Sequence, residues 1–288
     1  MTQQALILSL HNVRFARPHG AGFSLHIQEF AVAQGQCLAL IGPSGCGKST
    51  TLDILAGILR PSHCEQFLFC PQGAGLVPQT KPTPHKAAPQ SRTKPQADTV
   101  HDIAALWAQG NSNALAALRL AHIGYVLQTG GLLPFLTAGE QILLTCNLLN
   151  QGAAGAERAA ALAHGLGIER LLSAYPARLS VGERQRVAIA KALAPAPQLV
   201  LADEPTAALD PRNALAVMRL FTEAARGIGC TVIMVTHAPA LAQEMGFCPV
   251  PLHISPEGDS AIIRYNPSQT MTAAQSLQAA RYEDVCAK

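Results

Sequence analysis

Charged residues are scarce in this sequence. They make up 14% of its 288 residues, whereas an ordinary soluble domain has about 25%. Because polar side chains are needed where a protein faces water, the low fraction indicates that part of the surface is covered by a partner. Apolar residues reach 49%, so the chain can bury a large core, which excludes a wholly disordered protein.

Aromatic residues are also few, at 5%, which argues against a protein that stacks nucleic-acid bases on aromatic rings. The formal net charge of +3 comes from one segment, because residues 66–97 contain four basic and no acidic residues. The rest of the chain is close to neutral. We therefore expect no nucleic-acid partner.

Long apolar runs are absent: no stretch of about 18–20 apolar residues occurs, so the sequence predicts no membrane-spanning helix. The first residues, MTQQALILSLHNVRF, lack the basic region and cleavage site of a secretory signal, and we expect none. The eight cysteines form no C-x-x-C pair. This argues against a disulfide framework or a zinc site and favours reduced thiols in the cytoplasm.

The apolar residues follow two patterns that are typical of strands. Residues 5–15 and 23–27 alternate between apolar and polar, which predicts half-buried antiparallel strands. Short continuous apolar runs of the buried, parallel type occur at 37–42, 198–203 and 230–237. Helical patterns separate these runs. Strand–helix alternation of this kind predicts an α/β fold with a parallel sheet.

Three other regions complete the organisation. A helix-rich region is predicted over about 137–194, and both Thr137 and Ser180 are followed three residues later by glutamate, which is the spacing of a capping box. Residues 71–97 are rich in Pro, Gln, Lys and Thr, so we expect a disordered or polyproline-like insert. Residues 265–288 predict a polar turn and a modest amphipathic helix.

A phosphate-binding motif follows the first continuous apolar run. Its first eight residues fit G-x-x-x-x-G-K-[ST] and Thr50 follows them; the segment is Gly42, Pro43, Ser44, Gly45, Cys46, Gly47, Lys48, Ser49 and Thr50. Glycines allow the backbone to wrap phosphate oxygens, Lys48 supplies a charge to the β and γ phosphates, and Ser49 offers a hydroxyl to Mg²⁺. A chance glycine turn is the alternative, which the strand before and the helix after disfavour.

Two adjacent carboxylates end the run LVLADEP. Asp203 is suited to hold Mg²⁺, and Glu204 is suited to polarise an attacking water as a general base. A solvated strand end is the alternative. The position of the pair, after a phosphate-binding loop in an α/β chain, disfavours it.

Several motifs in this order resemble those of the ATP-binding cassette (ABC) ATPases that energise membrane transporters, over about residues 5–240. Gln128 in IGYVLQ is similar to the Q-loop glutamine, and LSVGERQR at 179–186 is similar to the LSGGQ signature. The segment TAALD, which ends at Asp210, resembles the D-loop, and His237 resembles the switch histidine. A P-loop alone is shared by many NTPases, whereas the signature just before the carboxylate pair is close to diagnostic.

The resemblance implies a fold and a domain organisation. The expected fold is a P-loop NTPase parallel-sheet core with an N-terminal antiparallel β subdomain and a helical signature subdomain. Residues 1–240 would form the ABC ATPase domain, with 71–97 as its insert and about 137–194 as the helical subdomain. Residues 241–288 would be a C-terminal extension of the same domain.

The resemblance also implies roles for single residues. Glu204 would be the catalytic base, with His237 and Gln128 as the residues that sense the γ-phosphate. Gln128 would join Ser49 and Asp203 as ligands of Mg²⁺.

Other implied contacts join two copies of the chain. Ser180, Gly182 and Asp210 would contact ATP that is bound to the opposite subunit. The expected cofactors are ATP and Mg²⁺. The expected partners are a second copy and an integral membrane permease of the lipoprotein-release or macrolide-export type. The permease would hold the protein at the inner face of the cell membrane.

The sequence departs from the family at four places. Val181 replaces the first signature glycine, and Glu183 replaces a frequent glutamine. The position expected for the adenine-stacking aromatic holds Arg17, with Phe15 two residues earlier. Residues 62–100 replace the usual short β-hairpin, and we expect a surface loop there.

Alternatives remain at this stage for single residues and for the function. Ser180 could be only a helix cap, His237 an ordinary strand-end histidine, and Gln128 a plain loop residue. A soluble ABC ATPase of translation or repair would also hydrolyse ATP, but the chain has neither a second cassette nor a long coiled-coil insert. An ATPase that signals through a permease-like partner without moving cargo is a further alternative. A GTPase is disfavoured because the guanine motif N-K-x-D is absent.

Overall fold

A computed structural model describes residues 5–16, 24–71, 100–255 and 260–267. The chain divides into two compact units. The first unit contains the described parts of residues 1–34, 60–112 and 253–288, and the second contains 35–59 and 113–252. The predictions for 72–97 and for 268–288 lie outside the described residues.

The elements are numbered in chain order. The strands are β1 Leu6–Ala16, β2 Ser24–Ala33, β3 Cys37–Ile41, β4 His63–Phe69, β5 His101–Asp102, β6 Ile123–Val126, β7 Leu199–Asp203, β8 Thr231–Val235, β9 Cys248–Pro251, β10 His253–Ile254 and β11 Ser260–Tyr265. The α-helices are α1 Lys48–Leu55, α2 Ile103–Ala108, α3 Ser112–His122, α4 Ala138–Leu148, α5 Gly152–Gly165, α6 Val181–Leu193, α7 Pro211–Ile228 and α8 Pro239–Glu244. Two single turns of 3₁₀-helix cover Glu169–Leu171 and Pro176–Arg178.

The first unit is built on a six-stranded sheet in the order β10-β11-β2-β1-β4-β5. β1 pairs antiparallel with both β2 and β4, which confirms the predicted antiparallel strands near the N-terminus. β11 pairs parallel with β2. No pattern in the sequence predicts a strand at β11, yet this segment, more than 200 residues after β2, forms part of the same sheet.

The expectation of a surface loop over 62–100 is wrong at its start. Residues 63–69 form β4, which pairs with β1 from Leu8 to Arg14. Phe67 and Phe69 are buried, and the ring of Phe67 packs edge-on against Trp107 with centroids 5.5 Å apart. The burial of these aromatic rings holds the segment in the sheet.

The second unit contains a five-stranded parallel sheet in the order β6-β7-β8-β3-β9. Its three central strands are the continuous apolar runs of the sequence, and almost all of their side chains are buried. Together with the surrounding helices, this sheet confirms the predicted α/β class. Because all five strands are parallel, their C-terminal ends lie on the same side of the sheet. The segments that follow β3, β6, β7 and β8 therefore lie close together there.

Both predicted capping boxes are present in the helices of the second unit. The side chain of Thr137 caps α4 and that of Ser180 caps α6, each with reciprocal hydrogen bonds to a glutamate three residues later. α4, α5 and α6 pack together around buried side chains that include Ile142, Leu162 and Ile189. Among the helices of the described residues, none is both long and apolar enough to span a membrane.

A polar cluster lies on one face of the antiparallel sheet in the first unit. The Nε2 atoms of His11 and His63 lie 3.6 Å and 3.7 Å from the two carboxylate oxygens of Glu65. The side-chain amide of Asn12 donates to Glu65, and the Asn12 oxygen lies 3.0 Å from Nε2 of His26. The cluster thus joins side chains from three neighbouring strands.

This cluster predicts a dependence of stability on pH. Burial, followed by the charges of Arg14, His11 and His63, lowers the pKa of His26 from its ordinary value of 6.5. A histidine whose pKa is lowered by folding stabilises the protein above its unfolded pKa and ceases to do so as the pH falls through the folded pKa. In His26→Gln, we therefore expect a smaller loss of unfolding free energy between about pH 7 and about pH 5 than in the wild type. Denaturant titrations at both pH values measure this, with exposed His253→Gln as the control. Equal losses in all three proteins would contradict the prediction.

Candidate active site

The segment Gly42–Thr50, called the P-loop below, connects β3 to α1 in the second unit. Gly45 and Gly47 have φ values of 81° and 90°, a backbone conformation that favours glycine. A Cβ at Gly42 would lie 2.9 Å from Sγ of Cys46, so a side chain there would crowd the loop. The loop therefore leaves backbone N–H groups at the start of α1 in a position to bind phosphate oxygens.

Lys48 is 5% exposed and lies inside this loop. Its Nζ donates hydrogen bonds to the carbonyl oxygens of Gly42 and Pro43, both at 2.8 Å. An ammonium group has three donors, and the two carbonyl bonds fix the direction of the side chain. The loop thus holds a preorganised positive charge beside its own backbone N–H groups.

Ser49 and Asp203 form the part of the site that is suited to a metal ion. The Ser49 hydroxyl donates to Oδ1 of Asp203 at 3.0 Å, which joins the start of α1 to the end of β7. Burial raises the pKa of Asp203, and the neighbouring carboxylates Glu204 and Asp53 add to this. A bound cation would offset both effects. Among the described residues no group of three or more His, Cys, Asp or Glu side chains could hold a metal, but Mg²⁺ often takes one or two protein oxygens together with phosphates and waters. The pair therefore fits Mg²⁺.

Glu204 is the centre of the third part of the site. His237 Nε2 lies 2.8 Å from Oε1 of Glu204, and Nε2 of Gln128 donates to its Oε2 at 3.3 Å. The Glu204 side chain is 15% exposed. Three residues that are far apart in sequence thus meet at the carboxyl edge of the parallel sheet.

The backbone of Glu204 is unusual. Its φ of 46° lies in the left-handed region, which is uncommon for a residue with a side chain. Its N–H donates to the carbonyl of Val235 at 3.1 Å, and its carbonyl accepts from the N–H of Ala207 at 3.2 Å. Such strain persists where the surroundings hold it, and it is concentrated at functional sites.

The signature segment forms the exposed start of α6. Ser180 donates from its N–H and its hydroxyl to one oxygen of Glu183, both at 2.7 Å, and these bonds lower the pKa of Glu183. Gly182 lies in the first turn, and a Cβ there would meet only Cδ2 of Leu209, at an ordinary 3.7 Å. Packing within the chain therefore does not require glycine at this position.

One group of predicted site residues is brought together in the structure: Ser49 contacts Asp203, and Gln128 and His237 contact Glu204, beside the P-loop. The other group, Ser180, Gly182 and Asp210, forms no hydrogen bond or ion pair with these residues in the part of the chain that the structure describes. Asp210 caps α7 and accepts hydrogen bonds from the backbone and side-chain nitrogens of Asn213; its predicted contact with nucleotide stays a prediction, as do those of Ser180 and Gly182. Of the two candidates for adenine contact, Phe15 lies in β1 and Arg17 is outside the described residues.

Sequence analysis missed one pair at this site. The Tyr125 hydroxyl donates to Oδ1 of Asp53 at 2.9 Å. Asp53 lies on α1, one turn after Ser49, and Tyr125 lies three residues before Gln128. The sequence shows that Asp53 lies near the P-loop and that Tyr125 lies near Gln128. It does not show that Asp53 and Tyr125 contact each other.

Comparisons with known proteins point to one family. The family model described as ABC transporter matches residues 25–207. The chain is 37% identical over 212 residues to the macrolide export ATP-binding/permease protein MacB of Marinobacter nauticus; the match covers 73% of this chain and 27% of that protein. It is 34% identical to the lipoprotein-releasing system ATP-binding protein LolD of Cytophaga hutchinsonii, over 74% of this chain and 83% of that one. LolD of Legionella pneumophila is 34% identical over 75% and 81% of the two chains.

Solved structures show the same fold. The ATP-binding cassette MJ0796, in a dimeric post-hydrolysis state bound to ADP and Pi, superposes with a TM-score of 0.63 at 26% identity, over 88% of this chain and 96% of that chain. The cbiO1 protein of Clostridium perfringens has a TM-score of 0.63 at 22% identity, over 97% and 96%. These matches confirm the predicted cassette fold.

Proposed function

The chain belongs to the ABC transporter family, and we propose that it is the ATP-hydrolysing subunit of a transporter in which two copies drive a separate membrane permease. One observation carries this proposal: His237 and Gln128 hold the carboxylate of Glu204 in place. Glu204 follows β7 and the P-loop follows β3, so both lie at the C-terminal ends of the parallel strands. A site that only binds nucleotide has no need of a carboxylate held in this way.

The P-loop would bind the triphosphate of ATP. The ammonium of Lys48 would exchange its contacts with the carbonyls of Gly42 and Pro43 for contacts with phosphate oxygens, which are stronger acceptors because they are charged. The N–H groups at the start of α1 would donate hydrogen bonds to the same phosphates at the positive end of the helix dipole.

Ser49 and Asp203 would hold Mg²⁺, with Gln128 as a third ligand. The Nε2 of Gln128 donates to Glu204, so its Oε1 is the atom available to a cation. Mg²⁺ would neutralise charge on the β and γ phosphates. The hydroxyl of Ser49, which donates to Asp203, keeps both ligands together before metal and nucleotide bind.

Glu204 would act as the general base of hydrolysis. A water oxygen attacks the γ-phosphorus, the water gives a proton to the Glu204 carboxylate, and the bond to the β–γ bridging oxygen breaks, which leaves ADP and phosphate. His237 and Gln128 would orient the carboxylate, since each contacts a different one of its oxygens. Positioning is the largest task here, because phosphoryl transfer depends mainly on alignment and charge stabilisation.

A second copy of the chain would complete each site with Ser180 and Gly182. The start of α6 is exposed, and Gly182 has room for a side chain within its own protomer, so the glycine is better explained by the close approach of an anion from outside. Asp210, at the exposed start of α7, would lie on the same dimer face. The dimeric state of the related cassette MJ0796, with ADP and Pi bound, supports this arrangement.

A groove in the second unit supports a permease partner. It has a volume of about 350 Å³ and is lined by residues that include Ile58, Tyr125, Leu127, Lys191 and Pro195. The side chains of Ile58 and Leu127 are 53% and 45% exposed, which is unfavourable in water. Leu127, which lines the groove, directly precedes Gln128 in the chain, so a segment docked in the groove would lie close to the site.

The relatives suggest which permease this is. MacB is named for both ATP-binding and permease functions, and this chain matches only 27% of its length; LolD is named as an ATP-binding protein of a lipoprotein-releasing system. We therefore place the chain with the lipoprotein-release and macrolide-export type. Its permease would hold it in the cytoplasm at the inner face of the cell membrane.

A composite site, in which the P-loop of one copy faces Ser180 and Gly182 of the other, predicts a specific result from mixed dimers. Ser180→Arg and Lys48→Ala should each abolish hydrolysis as homodimers, because every site loses either its signature or its P-loop lysine. In a mixed dimer one site has both intact and the other has both damaged. With random pairing and an intact site that fires alone, an equal mixture should therefore regain about a quarter of wild-type activity, because half of the dimers are mixed and half of their sites are intact. Steady-state phosphate release measures this.

The control is Ser173→Arg, which adds the same charge at an exposed serine of the same unit and should keep wild-type activity. Full activity of the Ser180→Arg homodimer would contradict the composite site. Recovery of a membrane protein in a pull-down from native membranes tests the permease, whereas recovery of ribosomes or DNA would contradict the transport role.

A further inference from the structure

The strand that leads to Gln128 is poorly supported on one side. Among the described residues, β6 is an edge strand that pairs only with β7, from Ile123 to Val126. Edge strands have a row of backbone groups without strand partners and are less constrained than central strands. The position of Gln128, two residues after β6 ends, therefore depends on side-chain contacts of this strand.

One contact fixes the middle of β6 against α6. A Cβ at Gly124 would lie 2.4 Å from the carbonyl oxygen of Ala192 and 3.2 Å from Cγ of Pro197. The backbone of β6 and the end of α6 are thus in direct contact at Gly124. This contact holds β6 in place at Gly124, just before Tyr125 and Gln128 in the chain.

The next residue provides the contact on the nucleotide side. Tyr125 is half-buried, and its hydroxyl donates to Oδ1 of Asp53 at 2.9 Å. Burial and the nearby negative charge of Asp53 raise the pKa of Tyr125, so the hydroxyl keeps its proton and remains a donor. Asp53 follows Ser49 by one helical turn, which places both side chains on the same face of α1.

We propose that Tyr125 is a positioning residue for ATP hydrolysis: its hydrogen bond to Asp53 ties β6 to the helix of the P-loop and thereby sets Gln128 against Glu204. The inference rests on the proposed function, because it names a further residue of the same site. The path is short: Ser49 and Asp53 share α1, Tyr125 lies on β6, and Gln128 follows two residues after β6 ends.

A double-mutant cycle tests the inference with the full-length protein. Tyr125→Phe removes only the hydroxyl, and we expect kcat for ATP hydrolysis to fall roughly fivefold, within the range of coupling between contacting residues. The KM for ATP should change less than about twofold, because the P-loop contacts are intact. In a Gln128→Ala background, the tyrosine substitution should have no further effect on kcat, because the residue that it positions is already gone.

Tyr175→Phe is the matched control, since it removes a hydroxyl from an exposed tyrosine of the same unit, and it should keep the wild-type kcat. A wild-type kcat in Tyr125→Phe would overturn the inference. So would an equal fall in kcat with and without Gln128, because it would indicate a general structural loss.

Amide hydrogen exchange gives a readout that needs no activity. Exchange in the segment 127–131, which contains the turn from the Gly130 N–H to the Leu127 carbonyl, should be several-fold faster in nucleotide-free Tyr125→Phe than in the wild type. Unchanged exchange there would overturn the inference. A wild-type protein without ATPase activity would instead contradict the proposed function, while the exchange result would still decide the role of Tyr125.

Discussion

Glu204→Gln is expected to lower the rate of ATP hydrolysis by about 10²- to 10⁴-fold, the usual contribution of a general base. Glutamine has almost the shape of glutamate but cannot accept the proton of the attacking water. The P-loop and Lys48 are unchanged, so ATP should still bind. Because the bound ATP is no longer consumed, the variant should accumulate as an ATP-bound dimer.

Two measurements check this expectation. Phosphate release gives the rate, and gel filtration with and without ATP gives the oligomeric state. Glu157→Gln, which removes the same charge from an exposed glutamate on α5, should behave as the wild type in both. Hydrolysis by Glu204→Gln at the wild-type rate would exclude Glu204 as the base, and a second carboxylate would have to be found.

Lys48→Ala is expected to weaken ATP binding by at least about 100-fold, since hydrogen bonds to charged groups contribute about 1.5–3 kcal/mol each. The lysine is 5% exposed and supplies the positive charge inside the P-loop. Its removal takes away the one side-chain cation that the P-loop offers to the β and γ phosphates, which the backbone N–H groups and Mg²⁺ do not replace. No compensating cation is placed in this loop by the sequence, because Lys48 is the only basic residue between Gly42 and Thr50.

Equilibrium binding of a fluorescent ATP analogue measures this effect. Circular dichroism checks that the variant folds, because Lys48 also bonds the carbonyls of Gly42 and Pro43. Arg178→Ala removes a positive charge from an exposed position and should leave the affinity unchanged. An affinity of Lys48→Ala equal to that of the wild type would contradict the assignment of the P-loop.

The features that the sequence predicted correctly are local ones. The P-loop is contiguous and connects β3 to α1, as its position between an apolar run and a helical pattern predicts. The capping boxes at Thr137 and Ser180 formed because each joins residues three apart. The central parallel strands were visible because burial on both faces requires continuous apolar runs.

Several parts of the first sheet could not be predicted in this way. β4 was taken for a loop because the polar insert follows it, yet pairing with β1 and burial of Phe67 and Phe69 make it a strand. β11 lies more than 200 residues after its partner β2. Whether such a segment forms a strand depends on the neighbouring strand with which it pairs, and a short segment of sequence does not contain that information.

Residue type and order along the chain are enough to predict a glycine-rich loop suited to phosphate, a carboxylate pair at a strand end and a capped helix after Ser180. The contacts of Gln128 and His237 with Glu204, and the hydrogen bond from Tyr125 to Asp53, are visible in the folded chain alone. The physical reason is the parallel sheet, which brings the ends of β3, β6, β7 and β8 to one edge although they are far apart along the chain. Side-chain contacts across that edge depend on strand order, which hydrophobic periodicity does not specify.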